Sequence, residues 1–346
     1  MNSTTKATNL ARIMNESQYS IVLLFFCVAW TICSMLGIAS NVINIKTFVA
    51  MGLNDSVTVS FLTLSVFDLA YVITTFCFAV SSAFSLIEQT YPILFPIEPY
   101  GVYVYFGNVL VLINVNNTLT TTFLAVARCM CVAKPLHFKH TFTVKRTVVI
   151  MTAFAIFAVA IYTPILANMG MVYRLDAKTN TSRPTLWLSP NRESTKNIVW
   201  TIIQIILPIA TEFIVLVCIV IMINSLRAAS KFRQASHITV CANDSSCLKG
   251  KTGSSNVANE KLSGKEIRVV KQVTLISLVY ILCNTPKIMI SIGGLVEQEF
   301  RIGKTYGYLY LCLNCFRMQF EILNASINTF VYYAFNTKFK TTLCWK

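Results

Sequence analysis

Seven long apolar stretches restrict the fold of this chain more than any other feature. They run Ile21 to Ile45, Val57 to about Ser85, Gly101 to Ala127, Thr147 to about Val172, Asn197 to Leu226, Gln272 to Val296 and Tyr306 to Phe335. Each has the ~20 residues that an α-helix needs to cross a ~30 Å hydrocarbon core. Barrel strands would be about half as long and would alternate in polarity. Only 12% of the residues are charged, against ~25% in a soluble domain. The charges inside the stretches are Asp68, Glu212, Lys287, Arg317 and Glu321. The expected fold class is therefore an all-α membrane protein, a seven-transmembrane-helix bundle over 21–335.

The net charge of +15 invites a nucleic-acid reading, but its distribution argues for topology instead. With the N-terminus outside, the inner segments hold 18 Lys and Arg and the outer segments 9, and such an excess marks the cytoplasmic side. The first outer loop, Ile87 to Tyr100, has two glutamates and no Lys or Arg. The second inner loop carries Arg128, Lys134, Lys139, Lys145 and Arg146. The second outer loop fits less well, with Arg174, Lys178, Arg183, Arg192 and Lys196.

Residues 1–20 form a polar extracellular tail without a signal-peptide pattern, so the first helix serves as its own insertion signal. Asn2, Asn15 and Asn180 open glycosylation triplets on the outer side. Chance is the plain alternative, since Asn54, Asn243 and Asn324 open similar triplets elsewhere. The third cytoplasmic loop, about 235–263, has a composition that predicts disorder, and its basic flanks, LRAASKFRQ and GKEIRVVKQ, extend the neighbouring helices. Residues 336–346 are the cytoplasmic tail. Phe335, Phe339 and Leu343 recur there at helical spacing beside Lys338 and Lys340, which suggests a short amphipathic eighth helix on the inner membrane surface. Cys344 is a palmitoylation candidate or a plain terminal cysteine. The outer segments contain no clear cysteine pair, and Cys241 with Cys247 would face a reducing cytosol.

Polar groups at membrane depth are expensive, roughly 2.5–3.5 kcal/mol for a central charge, so their positions carry information. In order the helices bear SNVIN with Asn41, LSVFDLAYV with Asp68, LAVARC with Arg128, ILPIA with Pro208, LCNTP with Pro286, and NASINTFVYY with Asn324, Asn328 and Tyr332. This series resembles the rhodopsin-like (class A) G-protein-coupled receptors over about Ser20 to Cys344. The fourth helix lacks the family's usual tryptophan. GLNDSVTVSFLTLSVFDL, TTTFLAVARCMCVAKPLHFKH, RAASKFRQ and VYILCNTPK further resemble candidate chemosensory receptors of gastropod molluscs, a set that also resembles invertebrate neuropeptide receptors.

The resemblance implies a plasma-membrane signal transducer with an extracellular small-molecule or peptide ligand, a heterotrimeric G protein and membrane lipid as partners, and no nucleic acid. A neuropeptide role is the alternative to a chemosensory one. No cofactor is expected beyond an allosteric sodium ion, for which Asp68, Asn117, Asn324 and Asn328 are the implied ligands. Arg128 is the implied G-protein contact, in concert with Tyr332. The family's usual acid before it is replaced by Ala127, so Glu266 is the expected ionic partner. Pro208 and Pro286 remove backbone bonds and bend their helices. Thr329 stands where the family usually has proline. Tyr103 stands where it has the disulfide cysteine, so the second outer loop is either held by other contacts or mobile. Leu110 occupies the position of the amine-binding acid, which argues against an amine ligand.

The ligand-pocket candidates are Asn114, Gln204, Lys287, Arg317 and Glu321, suited to an anionic or amide-bearing ligand. Pairing of Arg317 with Glu321, one turn apart, and snorkelling of Lys287 are the plain alternatives. No enzyme constellation is expected. His137, His140 and His237 all lie on the cytosolic side with no nucleophile or metal set. A transporter would show internal repeats and broken helices, and a seven-helix ligand-gated channel subunit would have its N-terminus inside.

Overall fold

The computed structural model describes residues 14–133, 138, 140–176, 181–242 and 264–344; at 176, 226, 228–242 and 264–270 the backbone alone is described. Asn2, Asn180, His137 and Cys247 lie outside the described residues, as do the side chains of Glu266, His237 and Cys241.

Helix α1 spans Glu16–Met51, α2 Ser56–Thr90, α3 Pro99–Ala133 and α4 Val144–Ala167. A hairpin follows, β1 Met169–Asp176 antiparallel to β2 Thr181–Leu188. Rod α5 is composite: Arg192–Thr201, a π-helical turn Ile202–Ile206, and Leu207–Ala242. Then come α6 Gly264–Val296, α7 Gly307–Phe335 and the short α8 Thr337–Cys344. Among the described residues the secondary structure is thus helical apart from one hairpin. Six helices among the described residues are long and apolar enough to cross a membrane, as in a multi-pass membrane protein. Rod α7 is not among the six. Large apolar side chains such as Phe25, Leu36, Phe213 and Leu282 are exposed on the outer surface, which suits a lipid solvent rather than water.

Local chemistry sets several boundaries. Asn15 caps α1 through a capping box: its Oδ1 accepts from Gln18 N (2.8 Å), and Gln18 Oε1 accepts from Asn15 N (3.0 Å). This reciprocal pairing satisfies two orphan donors and starts α1 at Glu16, inside the stretch expected as the extracellular tail. Gly52 ends α1 with φ 83°, a conformation that glycine adopts freely. Asp55 caps α2 and Thr143 caps α4. The fourth helix was expected to reach about Val172 but stops at Ala167. The Asn168 side chain donates to Pro164 O (2.7 Å), closing the last turn, and Val172 belongs to β1.

Rod α1 packs along α2 and α7, and α3 touches α2, α4, α5 and α6, so the helices close into a ring around α3. Two large core clusters divide the bundle lengthwise. One, at the α8 end, unites Phe48, Phe61, Leu124, Cys129, Met222, Ile276, Tyr332 and Phe339. The other, toward the hairpin end, unites Phe26, Trp30, Tyr71, Phe78, Met318 and Ile322. The apolar stripe of α8 faces the bundle. Phe339 is fully buried against the rings of Phe48 and Tyr332, and Phe335 and Leu343 pack on the same cluster. Burying one such ring contributes roughly 1.5–3 kcal/mol. Lys338 Nζ donates to Met51 O (2.8 Å), tying α8 to the end of α1. Cys344 ends α8, exposed.

Candidate functional site

In the middle of the ring, Asp68 of α2 is buried, and its Oδ2 accepts from Asn328 Nδ2 of α7 (2.8 Å). Among the described residues, no bond joins Asn117 or Asn324 to this pair; Asp68 Oδ1 and Asn117 Oδ1 are both buried without a hydrogen-bond partner. Of the four implied sodium ligands, two are therefore in contact. Two orphaned oxygens, Asp68 Oδ1 and Asn117 Oδ1, are left of the kind that a hard cation takes as ligands.

The α1–α7 seam beside this pair is polar. Asn41 Nδ2 donates to Gly37 O and Ala325 O (3.0 and 2.9 Å). Thr329 donates to Asn44 Oδ1 (2.8 Å) and faces the Ser40 hydroxyl at 2.5 Å. Threonine at the expected proline position thus serves as a cross-helix bond, which proline cannot make through a side chain.

Toward α8, Arg128 sits near the end of α3, 6% exposed, with its Nε unpartnered among the described residues. The side chain of Glu266 lies outside the described residues, so the expected ion pair is not seen. Asp55, the cap of α2, is a described carboxylate that acts on Arg128 electrostatically. Tyr332 is fully buried among Phe48, Phe61 and Phe339. Pro286 lies inside a continuous α6. Pro208 lies one residue beyond the π-helical turn of α5, after Leu207, and further on the Thr211 and Tyr280 hydroxyls meet at 3.3 Å between α5 and α6.

A second polar cluster occupies the hairpin half. Glu321 of α7 accepts from three helices' donors: Tyr71 OH of α2 (2.8 Å), Asn114 Nδ2 of α3 (3.0 Å) and Arg317 NH1 of α7 itself (2.9 Å). The expected Arg317–Glu321 pairing is present, and Asn114 joins it. Lys287 of α6 is 3% exposed, and both Glu321 and Arg317 lie within its electrostatic range. Gln204 is buried on the π-helical turn, which packs against α6. Sequence reasoning missed Tyr71, although it lies in the quoted LSVFDLAYV, one turn after Asp68.

The hairpin closes this end without a disulfide; none of the described cysteines forms one. Glu98, just before α3, accepts from Leu186 N (2.6 Å), and its own N–H donates to Pro184 O (3.1 Å). Arg183 pairs with Glu88 and donates to Phe95 O (3.2 Å). Met171 of β1 lies so near Gly101 that a Cβ there would fall 2.7 Å from its sulfur. Tyr103, at the usual cysteine position, packs on Phe78 with ring centroids 4.7 Å apart. A cavity of about 890 Å³ opens beside Glu88, Glu98 and Arg183. No protein-family model matches the chain, and no curated protein does.

Proposed function

We propose that this chain is a rhodopsin-like G-protein-coupled receptor of the plasma membrane, with a chemosensory role. Its N-terminus and hairpin face outward. A small-molecule or peptide ligand enters the hairpin half, and a heterotrimeric G protein docks on the α8 half around Arg128. The observation that carries this reading is the Asp68–Asn328 bond between α2 and α7, with Arg128 and Tyr332 both buried toward the α8 end.

The residues support a two-state mechanism. Pro286 removes one backbone bond from α6 and provides a pivot. On the α8 side of that pivot, Val273, Ile276 and Tyr280 pack against Leu124 and Cys129 of α3 and Val215 and Met222 of α5. Outward motion of α6 separates these residues and uncovers Arg128 for the G protein. Asp68 Oδ1 and Asn117 Oδ1 would hold a sodium ion, which would offset the Asp68 charge in the closed state.

The test is expression in cells with each class of G protein, reading ligand-free nucleotide exchange, with an epitope on the N-terminus to report surface display. Exchange above background is expected, because Ala127 leaves no adjacent acid to restrain Arg128. It should vanish in Arg128→Ala at equal display. An epitope detectable only after permeabilisation, or silence with every G protein at full display, rejects the reading.

A further inference from the structure

The charges in the hairpin-half cluster do not cancel. Lys287 and Arg317 bring two positive charges and Glu321 one negative. Glu321 already takes bonds from Tyr71, Asn114 and Arg317, and none from Lys287. Among the described residues Lys287 makes no hydrogen bond or ion pair, although it is 97% buried by its 3% exposure. Arg317 Nε is likewise buried without a partner. The Gln204 side chain, 5% exposed, has none among the described residues either.

A buried ammonium with no directly bonded carboxylate is costly and persists where a partner or a function holds it. Lys287 lies roughly 14 Å from the hairpin-side end of α6, by the 1.5 Å rise per residue. That depth is within reach of a small ligand entering from this end. The uncompensated charge is a single positive one, so a monoanion neutralises it and a dianionic phosphate overshoots. A neutral amide-bearing ligand would leave that charge uncompensated, and one N–H of the Asn114 amide is already taken by Glu321.

We propose that Lys287 is the seat of a ligand carboxylate, with Arg317 Nε–H as second donor, so that the ligand is a small organic acid or a peptide with a free C-terminus. This rests on the reading of the hairpin half as the ligand-binding half.

The test uses the full chain in nanodiscs of uncharged phosphatidylcholine, with no G protein present, and follows thermal unfolding by thiol accessibility. The probes are butyrate, benzoate and phenylacetate beside their primary amides, and short apolar peptides with free or amidated C-termini, all at constant ionic strength. The expected result is a rise of about 2–4 °C with carboxylates and none with the matching amides. A shift from the small acids assigns the free acid as ligand, and a shift from free-ended peptides alone assigns a peptide terminus. Lys287→Met should unfold at a higher temperature than wild type without ligand and lose the carboxylate shift; Lys287→Arg should keep it. Equal shifts from acids and amides, no shift across the panel, or a Lys287→Met protein that unfolds earlier than wild type overturns the proposal. A carboxylate-specific shift in a chain silent with every G protein overturns the receptor reading and leaves this one standing.

Discussion

Asp55 shows how much one side chain can carry. Its Oδ1 accepts from Val57 N (2.9 Å) and Thr58 N (2.8 Å), and its Oδ2 accepts from the Thr58 hydroxyl (2.6 Å), so it fixes the start of α2. Its charge also acts on Arg128, which has Ala127 where the resemblance would place an acid. Asparagine caps a helix about as well as aspartate but carries no charge. Asp55→Asn should therefore leave the unfolding temperature nearly unchanged while raising ligand-free nucleotide exchange. Unchanged exchange would reduce Asp55 to a cap. At this scale the sequence was informative wherever a polar residue interrupted an apolar run: Asp68, Arg128, Lys287 and Glu321 stand out unaided. It offered Asn114 as a pocket residue but not as a partner of Glu321, and it was silent on Tyr71. Their contact with Glu321 depends on the relative rotation and depth of three helices, which no single helix encodes.

The hairpin and α8 are the elements that departed most from expectation. Tyr103 stands where a disulfide would begin, and the compensation is distributed over Glu98, Glu88, Arg183 and the close approach of Met171 to Gly101. The bond from Leu186 N to a carboxylate is charge-assisted and among the stronger single contacts. Glu98→Ala should release β2 from the start of α3, seen as faster amide exchange across Thr181–Leu188 and a loss of about 1–3 kcal/mol of stability. Hairpin exchange unchanged from wild type would mean that the strands hold without this anchor. The hairpin itself was hard to read, because TSRPTLWL has no alternating pattern. The Phe335, Phe339 and Leu343 stripe was legible as a helix, but its direction was not. An apolar stripe serves lipid and core equally well, and the ring stack of Phe339 with Phe48 and Tyr332 decides for the core.

The whole bundle depends on how closely α1, α2 and α7 approach one another. Gly37 of α1 marks a close approach: a Cβ there would fall 2.5 Å from Ser326 Oγ and 2.9 Å from Val72 Cγ1. Gly37→Val should force α1 outward and strain the Asn41 bonds to Gly37 O and Ala325 O, with a cost of about 1–3 kcal/mol, measurable as reduced surface display and earlier thermal unfolding. Wild-type stability in this variant would show that the seam has slack. The π-helical turn at Ile202–Ile206 acts on the scale of the whole molecule too. Each residue turns an α-helix by about 100°, and a π-turn absorbs one extra residue. Positions from Pro208 onward therefore align with an unbroken helix number for number, whereas Arg192 to Thr201 present the face of a neighbour one place along. A comparison by residue count across this rod is in phase on one side and a step out on the other, and Gln204, inside the turn, belongs to neither register.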